Sequence, residues 1–355
     1  MEKSLKDLKI EENVPLAPLT TFKIGGAARL FLRASDESTI VETIKFAEEN
    51  SIKVFVLGGG SNVLIADEGF DGLVLQISLK GVSTFKERNE TVYVTARAGE
   101  DWDEFVAFCV EKNLQGIECL SGIPGYVGAT PAQNVGAYGQ EVSETIVSTR
   151  VFDRKTKEIL ELTNADCKFS YRASIFNTTE KNRFIVLTVT FALKLGGEPR
   201  IHYRDLREIF DDKKPTLIET RNAVLDIRRA KSMVIDDKDA NSKSAGSFFK
   251  NPIVSNEKYS DVKARAKFFD IEDVPNFTVD DKSVKLPAAW LIEKSGFHKG
   301  YTRGQAGIST NHTLAIVNRD AATAQDVIEL MREIQTKVSE VFGVLLTPEP
   351  VFVGF

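Results

Sequence analysis

The chain has 355 residues, 42% of them hydrophobic and 27% charged, which is the composition of a soluble globular protein. That length exceeds what one ordinary core fills, so two or three domains are expected. The net charge of −5 argues against a surface built to coat nucleic acid or an anionic membrane.

Along the chain, MEKSLKDLKIEENVPL mixes charges and holds no apolar run of signal-peptide length. No later stretch approaches the roughly 20 apolar residues of a membrane helix. A cytoplasmic protein without nucleic-acid or membrane partners is expected. Residues 36–50 place Ile40, Val41, Ile44 and Ala47 on one helical stripe behind an acidic start. KVFVLGGG then reads as a buried strand running into a turn. GLVLQI, TVYVTARAG, TIVSTRVFD and RFIVLTVTFAL are further strands, dense in β-branched residues with turn residues at their ends. Helical spacing falls at 101–113, 216–231 and 322–342, and the polar run 235–246 reads as a loop. Strands and helices alternate irregularly, so the class is α+β or mixed α/β.

Cys109, Cys119 and Cys167 are odd in number and include no C-x-x-C pair, which suggests neither a disulfide framework nor a zinc site. His202, His298 and His312 lack metal-ligand spacing. No metal is expected.

Two glycine loops carry the chemistry. LGGGSNVLI (57–65) follows a strand, and successive amides in such a turn can form a concave nest for phosphate. It is neither G-x-G-x-x-G opening a helix nor a Walker loop, and a strand-ending turn without ligand remains an alternative. SGIPGYVGATPAQNVGAYG (121–139) carries five glycines, with Pro124 and Pro131 fixing the path between them. Ordering such a backbone is costly in conformational entropy unless something fills it. Together the loops suit a ligand with two phosphates and a long flat body, and a flavin dinucleotide fits.

GGGSN, GIPGYVGATPAQNVGAYG, YRASIF, GSFFKNP and a carboxyl-terminal PEP occur in that order. In this the chain resembles the UDP-N-acetylenolpyruvoylglucosamine reductases (UDP-N-acetylmuramate dehydrogenases) of the tyrosine-loop class, over nearly its whole length. The resemblance implies a three-domain flavoprotein with an FAD-binding domain of the p-cresol methylhydroxylase/vanillyl-alcohol oxidase type and a smaller substrate-binding domain. The expected boundaries are 1–80 with 346–355, 81–215, and 216–345. It implies FAD as cofactor, NADPH as hydride donor and a UDP-sugar substrate whose enolpyruvyl ether is reduced in peptidoglycan synthesis. A monomer is expected.

The same resemblance implies site residues. FAD would be held by Gly58, Gly59, Gly60, Ser61 and Asn62, by Ser121, Gly122, Ile123, Pro124 and Gly125, and by Gly128, Ala129, Thr130, Asn134 and Gly136. Ser247 matches the proton donor, Arg172 the arginine bracing the developing enolate, and Glu349 the glutamate assisting protonation. A guanidinium offers a permanent charge and a planar fork to a carboxylate. Pro350 pushes Glu349 out of the helical region, a departure from the family motif, which has only the preceding proline. Tyr203 would fold over the substrate diphosphate, Lys231 would contact the nucleotide, and Asn251 is a third candidate contact to the substrate. After Lys231 the usual Leu-Pro is replaced by Ser232-Met233.

Two other readings stay open: an alcohol oxidase or dehydrogenase of the same FAD-domain superfamily, and a non-catalytic nucleotide-sugar binder. Histidine scarcity and the small carboxyl-terminal third count against the oxidase. The joint presence of Ser247, Arg172 and Glu349 counts against the binder.

Overall fold

The fold is taken from a computed structural model, which describes residues 8–86, 90–211 and 213–355. Residues 1–7 of the stretch read above for a leader lie outside them. The described residues gather into two compact units. One comprises the described residues within 1–14, 28–60 and 70–234, and the other 15–27, 61–69 and 235–355.

In the first unit, Ala27–Ala34 and Val54–Leu57 pair in parallel with Phe70–Ile77 between them. Parallel strands need a crossover, and the helix Glu37–Glu49 supplies the one from Ala27–Ala34 to Val54–Leu57, capped where Asp36 accepts from the Thr39 amide. Ile40, Ile44 and Ala47 on its buried face pack with Leu30, Leu32, Leu73 and Leu75. An antiparallel sheet follows, in the order Ile159–Thr163, Ile146–Asp153, Phe184–Leu195, Thr91–Arg97 and Val82–Lys86. Phe184–Leu195 alternates buried and half-buried residues for most of its length, the period-2 pattern of a strand with one face on a core. Its Val189, Phe191 and Leu193 pack with Trp102, Phe105 and Val106 of the helix Trp102–Glu111. The helix Leu217–Ala230 opens with a capping box at Thr216 and Glu219.

In the second unit, Ser244–Ser247, Ala315–Asn318, Ala306–Ile308 and Thr302–Arg303 form a four-stranded sheet in that order. The polar run expected to be loop to residue 246 therefore yields to strand at Ser244, whose main chain pairs with Val317 despite its polar side chain. Val351–Val353 pairs in parallel with Val63–Ile65. The helix Ala324–Phe342 buries Val327, Leu330, Met331, Ile334 and Val338, the stripe read from sequence. These join Phe22, Leu64, Phe248 and Phe249 in one core. Asn256–Lys267 and Ala288–Lys294 are two further helices.

Candidate active site

The strand Val54–Leu57 delivers Gly58, Gly59 and Gly60 to the second glycine loop. A Cβ on Gly59 would lie 2.8 Å from Gly125 Cα, so the two main chains pass where no side chain fits. Gly60 turns the chain at φ +66°. Among the described residues, the Gly59 and Gly60 amides donate to no main-chain carbonyl. The second loop is stitched down along one side: Trp102 N–H donates to Gly125 O, Val127 N–H to Glu100 O and Gly128 N–H to Ala98 O, each at 2.9 Å. A Cβ on Gly128 would meet Ala98 Cβ at 2.5 Å. Asp103 accepts the Gly122 amide at 2.6 Å and takes both Arg221 Nη atoms, at 2.5 and 2.9 Å. Burial alone would raise the Asp103 pKa, but Arg221 and the Gly122 amide overcome it and hold the carboxyl ionised.

Close-packed glycine main chain with amides left to donate is what a dinucleotide's phosphates require, so the residues present fit FAD. Several candidates serve the loop itself. The Ser121 hydroxyl donates to Glu118 O at 2.7 Å and the Thr130 hydroxyl to Val127 O at 2.8 Å. Buried Asn134, at φ +44°, donates to Glu141 and accepts from the Ser143 amide. These side chains fix the loop's path. Ile123, Pro124 and Gly125 are half-buried and Ala129 is exposed along it.

Arg172 sits at the far edge of the same loop. Its Nη2 donates to Gly136 O at 2.7 Å and its guanidinium lies 5.4 Å from the Tyr171 ring centre. A Cβ on Gly136 would come within 3.2 Å of Arg172 Nη1. The arginine has φ +53°, a conformation that costs a non-glycine residue on the order of 1 kcal/mol and clusters at functional sites.

The Tyr203 ring meets Tyr138 edge-on, 5.3 Å between centres. Lys231 Nζ lies 2.9 Å from Asp205 and 6.0 Å from the Tyr138 ring centre. Burial alone would lower the Lys231 pKa, but Asp205 and the neighbouring tyrosines hold it above the usual value. The loop after Lys231 is defined without Leu-Pro. Ser232 takes φ +56°, its amide reaches Arg229 O and the Met233 amide reaches Arg228 O, a Schellman closure of the helix. Arg228 Nη2 returns to Met233 O at 2.7 Å.

The remaining candidates lie in the second unit, where Ser61 and Asn62 follow directly on the glycines. Ser247 ends the strand Ser244–Ser247 behind a register shift, with Gly246 at φ +76°. Phe248 and Phe249 are buried beyond it, their ring centres 5.4 Å apart, and Phe248 meets Phe22 edge-on. They anchor a strand whose serine is half-buried. Phe249 bridges Pro348 in antiparallel fashion, and the Glu349 amide donates to Phe248 O at 2.8 Å. Asn62 Nδ2 donates to Glu349 O at 3.3 Å, and the Val351 amide to Asn62 O at 2.9 Å. Buried Pro350 fits this extended run. Asn251 Oδ1 accepts the Ala288 amide at 2.9 Å, which starts the helix Ala288–Lys294.

Residues 28–163 match a family model described as an FAD binding domain. Residues 238–353 match the C-terminal domain of UDP-N-acetylenolpyruvoylglucosamine reductase. The UDP-N-acetylenolpyruvoylglucosamine reductase of Thermobifida fusca is 44% identical over 348 residues, covering 96% of this chain and 97% of that one. The chain belongs to the UDP-N-acetylenolpyruvoylglucosamine reductase family. The Streptomyces coelicolor reductase is 42% identical over 99% of this chain and 92% of its own length. The crystal structure of the Thermus caldophilus reductase covers 96% of this chain and 98% of its own, at 24% identity and a TM-score of 0.65, and shows the shared fold.

For this member of the reductase family, sequence reasoning missed three residues beside its candidates, two in the first unit and one in the second. Asp103 looks like any helix N-cap neighbour until Gly122 and Arg221 converge on it. Arg228 lies 6% exposed beside Tyr138, and burial pushes its pKa down. His312 Nε2 lies 3.4 Å from Ser247 Oγ; its only sequence signal was histidine scarcity. All three cysteines are free and buried, and burial raises the Cys167 thiol to about 11. Among the described residues no three His, Cys, Asp or Glu gather as a metal site, and no helix is long and apolar enough to cross a membrane.

Proposed function

We propose that Ser247, Arg172 and Glu349 carry the chemistry of the reaction this family performs, the NADPH-dependent reduction of UDP-N-acetylglucosamine enolpyruvate to UDP-N-acetylmuramate. The chain is an FAD oxidoreductase of peptidoglycan synthesis. Bound FAD supplies hydride chemistry, linking NADPH to the β-carbon of the enolpyruvyl ether. The protein's own task is the charge and the proton that follow. Negative charge builds on the α-carbon and carboxylate, and a proton must reach the α-carbon. The Arg172 fork braces the carboxylate. The Ser247 hydroxyl gives the proton, and Glu349 assists that transfer. Tyr203 folds over the substrate diphosphate, Lys231 contacts the nucleotide, and Asn251 is a further substrate contact. The protein works as a monomer in the cytoplasm.

The observation that carries this reading is the join between motifs in the second unit. Ser247 precedes Phe248, whose carbonyl accepts the Glu349 amide, so one ladder presents hydroxyl and carboxylate segments together. The test is anaerobic stopped-flow spectroscopy. Holoenzyme reduced with NADPH and mixed with UDP-N-acetylglucosamine enolpyruvate should regain the oxidised flavin band rapidly, but not with UDP-N-acetylglucosamine. Flavin that stays reduced with the enolpyruvate yet reoxidises with oxygen would favour the oxidase reading.

A further inference from the structure

A serine hydroxyl that gives up its proton is left as an alkoxide, a far stronger base than any group that can persist beside a carboxylate product. Something must hold the hydroxyl before transfer and return a proton afterwards. We propose that His312 is the positioning residue that acts through Ser247, aiming its hydroxyl and reprotonating it in each turnover. This rests on the proton-donor reading of Ser247 given above.

The placement is built into the sheet. Ser247 pairs with Ala315 across the strands, and the Phe248 amide donates to Leu314 O at 2.7 Å. His312 lies three residues before Ala315, and its carbonyl accepts the Ala315 amide at 3.0 Å. That tight turn brings the imidazole back over the strand end. The result is Nε2 at 3.4 Å from Ser247 Oγ, across a sequence separation of 65. Catalytic hydrogen bonds are often long before substrate binds. Neighbouring side chains fix the turn: the Asn311 amide donates to Ser309 Oγ at 3.1 Å, and the Thr313 hydroxyl donates to Glu293. The Gly246 bend, at φ +76°, carries Ser247 out of regular register at this point.

The protons balance. The Ser247 O–H bond breaks as the C–H bond forms at the substrate α-carbon. The Nε2–H bond of the imidazolium then breaks as the Ser247 O–H bond re-forms. Neutral His312 takes its next proton from water, which is the proton the overall reduction consumes beside the hydride. Imidazole suits the task because it exchanges a proton near neutral pH. Ser247 alone has no such supply.

The experiment compares wild-type and His312→Ala holoenzymes in both half-reactions. Reduction by NADPH should stay within about twofold, while reoxidation by the enolpyruvate should slow by roughly 100-fold, the scale of general acid–base catalysis. His312→Gln, which keeps a hydrogen-bonding amide without an exchangeable acid, should stay at least about tenfold slow. Reoxidation within tenfold of wild type in either variant, or an equal fall in both half-reactions, would overturn the proposal. A second readout needs no turnover. In 15N-labelled holoenzyme Ser247→Ala should move the His312 Nε2 resonance and leave His202 and His298 in place. An unmoved resonance would overturn the contact. If wild-type flavin is not reoxidised by the enolpyruvate at all, the reductase reading fails instead, and the nitrogen resonance still decides whether His312 holds Ser247.

Discussion

The Glu349 amide donates to the Phe248 carbonyl at 2.8 Å, which places a carboxyl-terminal glutamate beside a strand about a hundred residues earlier in sequence. Phe248 is fully buried, so this bond is shielded from water and the Pro348–Pro350 segment has little freedom to drift. Ser247 is the next residue along. The hydroxyl and the carboxylate segment are thus positioned by one short antiparallel ladder.

Ser247→Ala removes the hydroxyl proposed as proton donor and leaves the strand in place, because the strand is anchored by Phe248 and Phe249 and by its main-chain bonds. Flavin reduction by NADPH should be retained. Reoxidation by the enolpyruvate should fall by at least about 100-fold, the usual cost of losing a general acid. Stopped-flow absorbance separates the two. Comparable loss in both halves would remove Ser247 from the proton path.

The glycine cradle yields a contrast within one turn. A methyl at Gly59 would press on Gly125 main chain at 2.8 and 3.1 Å, whereas one at Gly58 would find Ala129 Cβ at 3.7 Å, an ordinary contact. Gly59→Ala should therefore push the two loops apart at a cost of about 1–3 kcal/mol, and purify with much less flavin. Gly58→Ala should keep its yellow colour. The ratio of flavin to protein absorbance reads both, and equal flavin content in the two variants would count against a cradle made by close main-chain approach.

Much of this architecture was legible because its signals are local. β-branched runs ended by turn residues gave Val54–Leu57, Ile146–Asp153 and Phe184–Leu195, and the apolar stripe gave Ala324–Phe342. What escaped lacked a local signal. Asn256–Lys267 buries only Val262 and Ala266, which leaves no stripe to read. Phe277–Asp280 is exposed along its whole length and so has no alternation. The contacts of His312 with Ser247 and of Asp103 with Arg221, 118 residues apart, are created by strand register and helix packing, which no short window of sequence contains.

Tyr203 is 41% exposed and packs its ring edge-on against Tyr138. That contact holds the ring and leaves the hydroxyl as the part a diphosphate would use. Tyr203→Phe keeps the ring and deletes the hydroxyl. It should raise the Michaelis constant for the enolpyruvyl substrate by about tenfold, the worth of one hydrogen bond to a charged group, with flavin reduction by NADPH within twofold of wild type. Steady-state kinetics with each substrate varied in turn would show it. An unchanged constant for the sugar nucleotide would exclude the diphosphate contact.

The buried Asp153 carboxylate tests the electrostatics of the first unit, away from the chemistry. Its side chain is fully buried, and Arg183 reaches it from Nη2 at 2.7 Å and from Nε at 3.1 Å. The Arg183 pairing, helped by the Lys155 amide, lowers its pKa from 3.8 to about 2. The folded value lies below the unfolded one, so the stabilisation is present in full above the unfolded pKa. It is lost as pH falls from about 4 towards 2. Because the Arg183 side chain is 30% exposed, water screens the pair and the contribution is about 1 kcal/mol. Asp153→Asn should cost about that much in denaturant unfolding at pH 7, and the difference from wild type should shrink on acidification. A difference that stays constant from pH 7 to pH 3 would mean that packing and hydrogen bonding, rather than the charge, set the cost of the substitution.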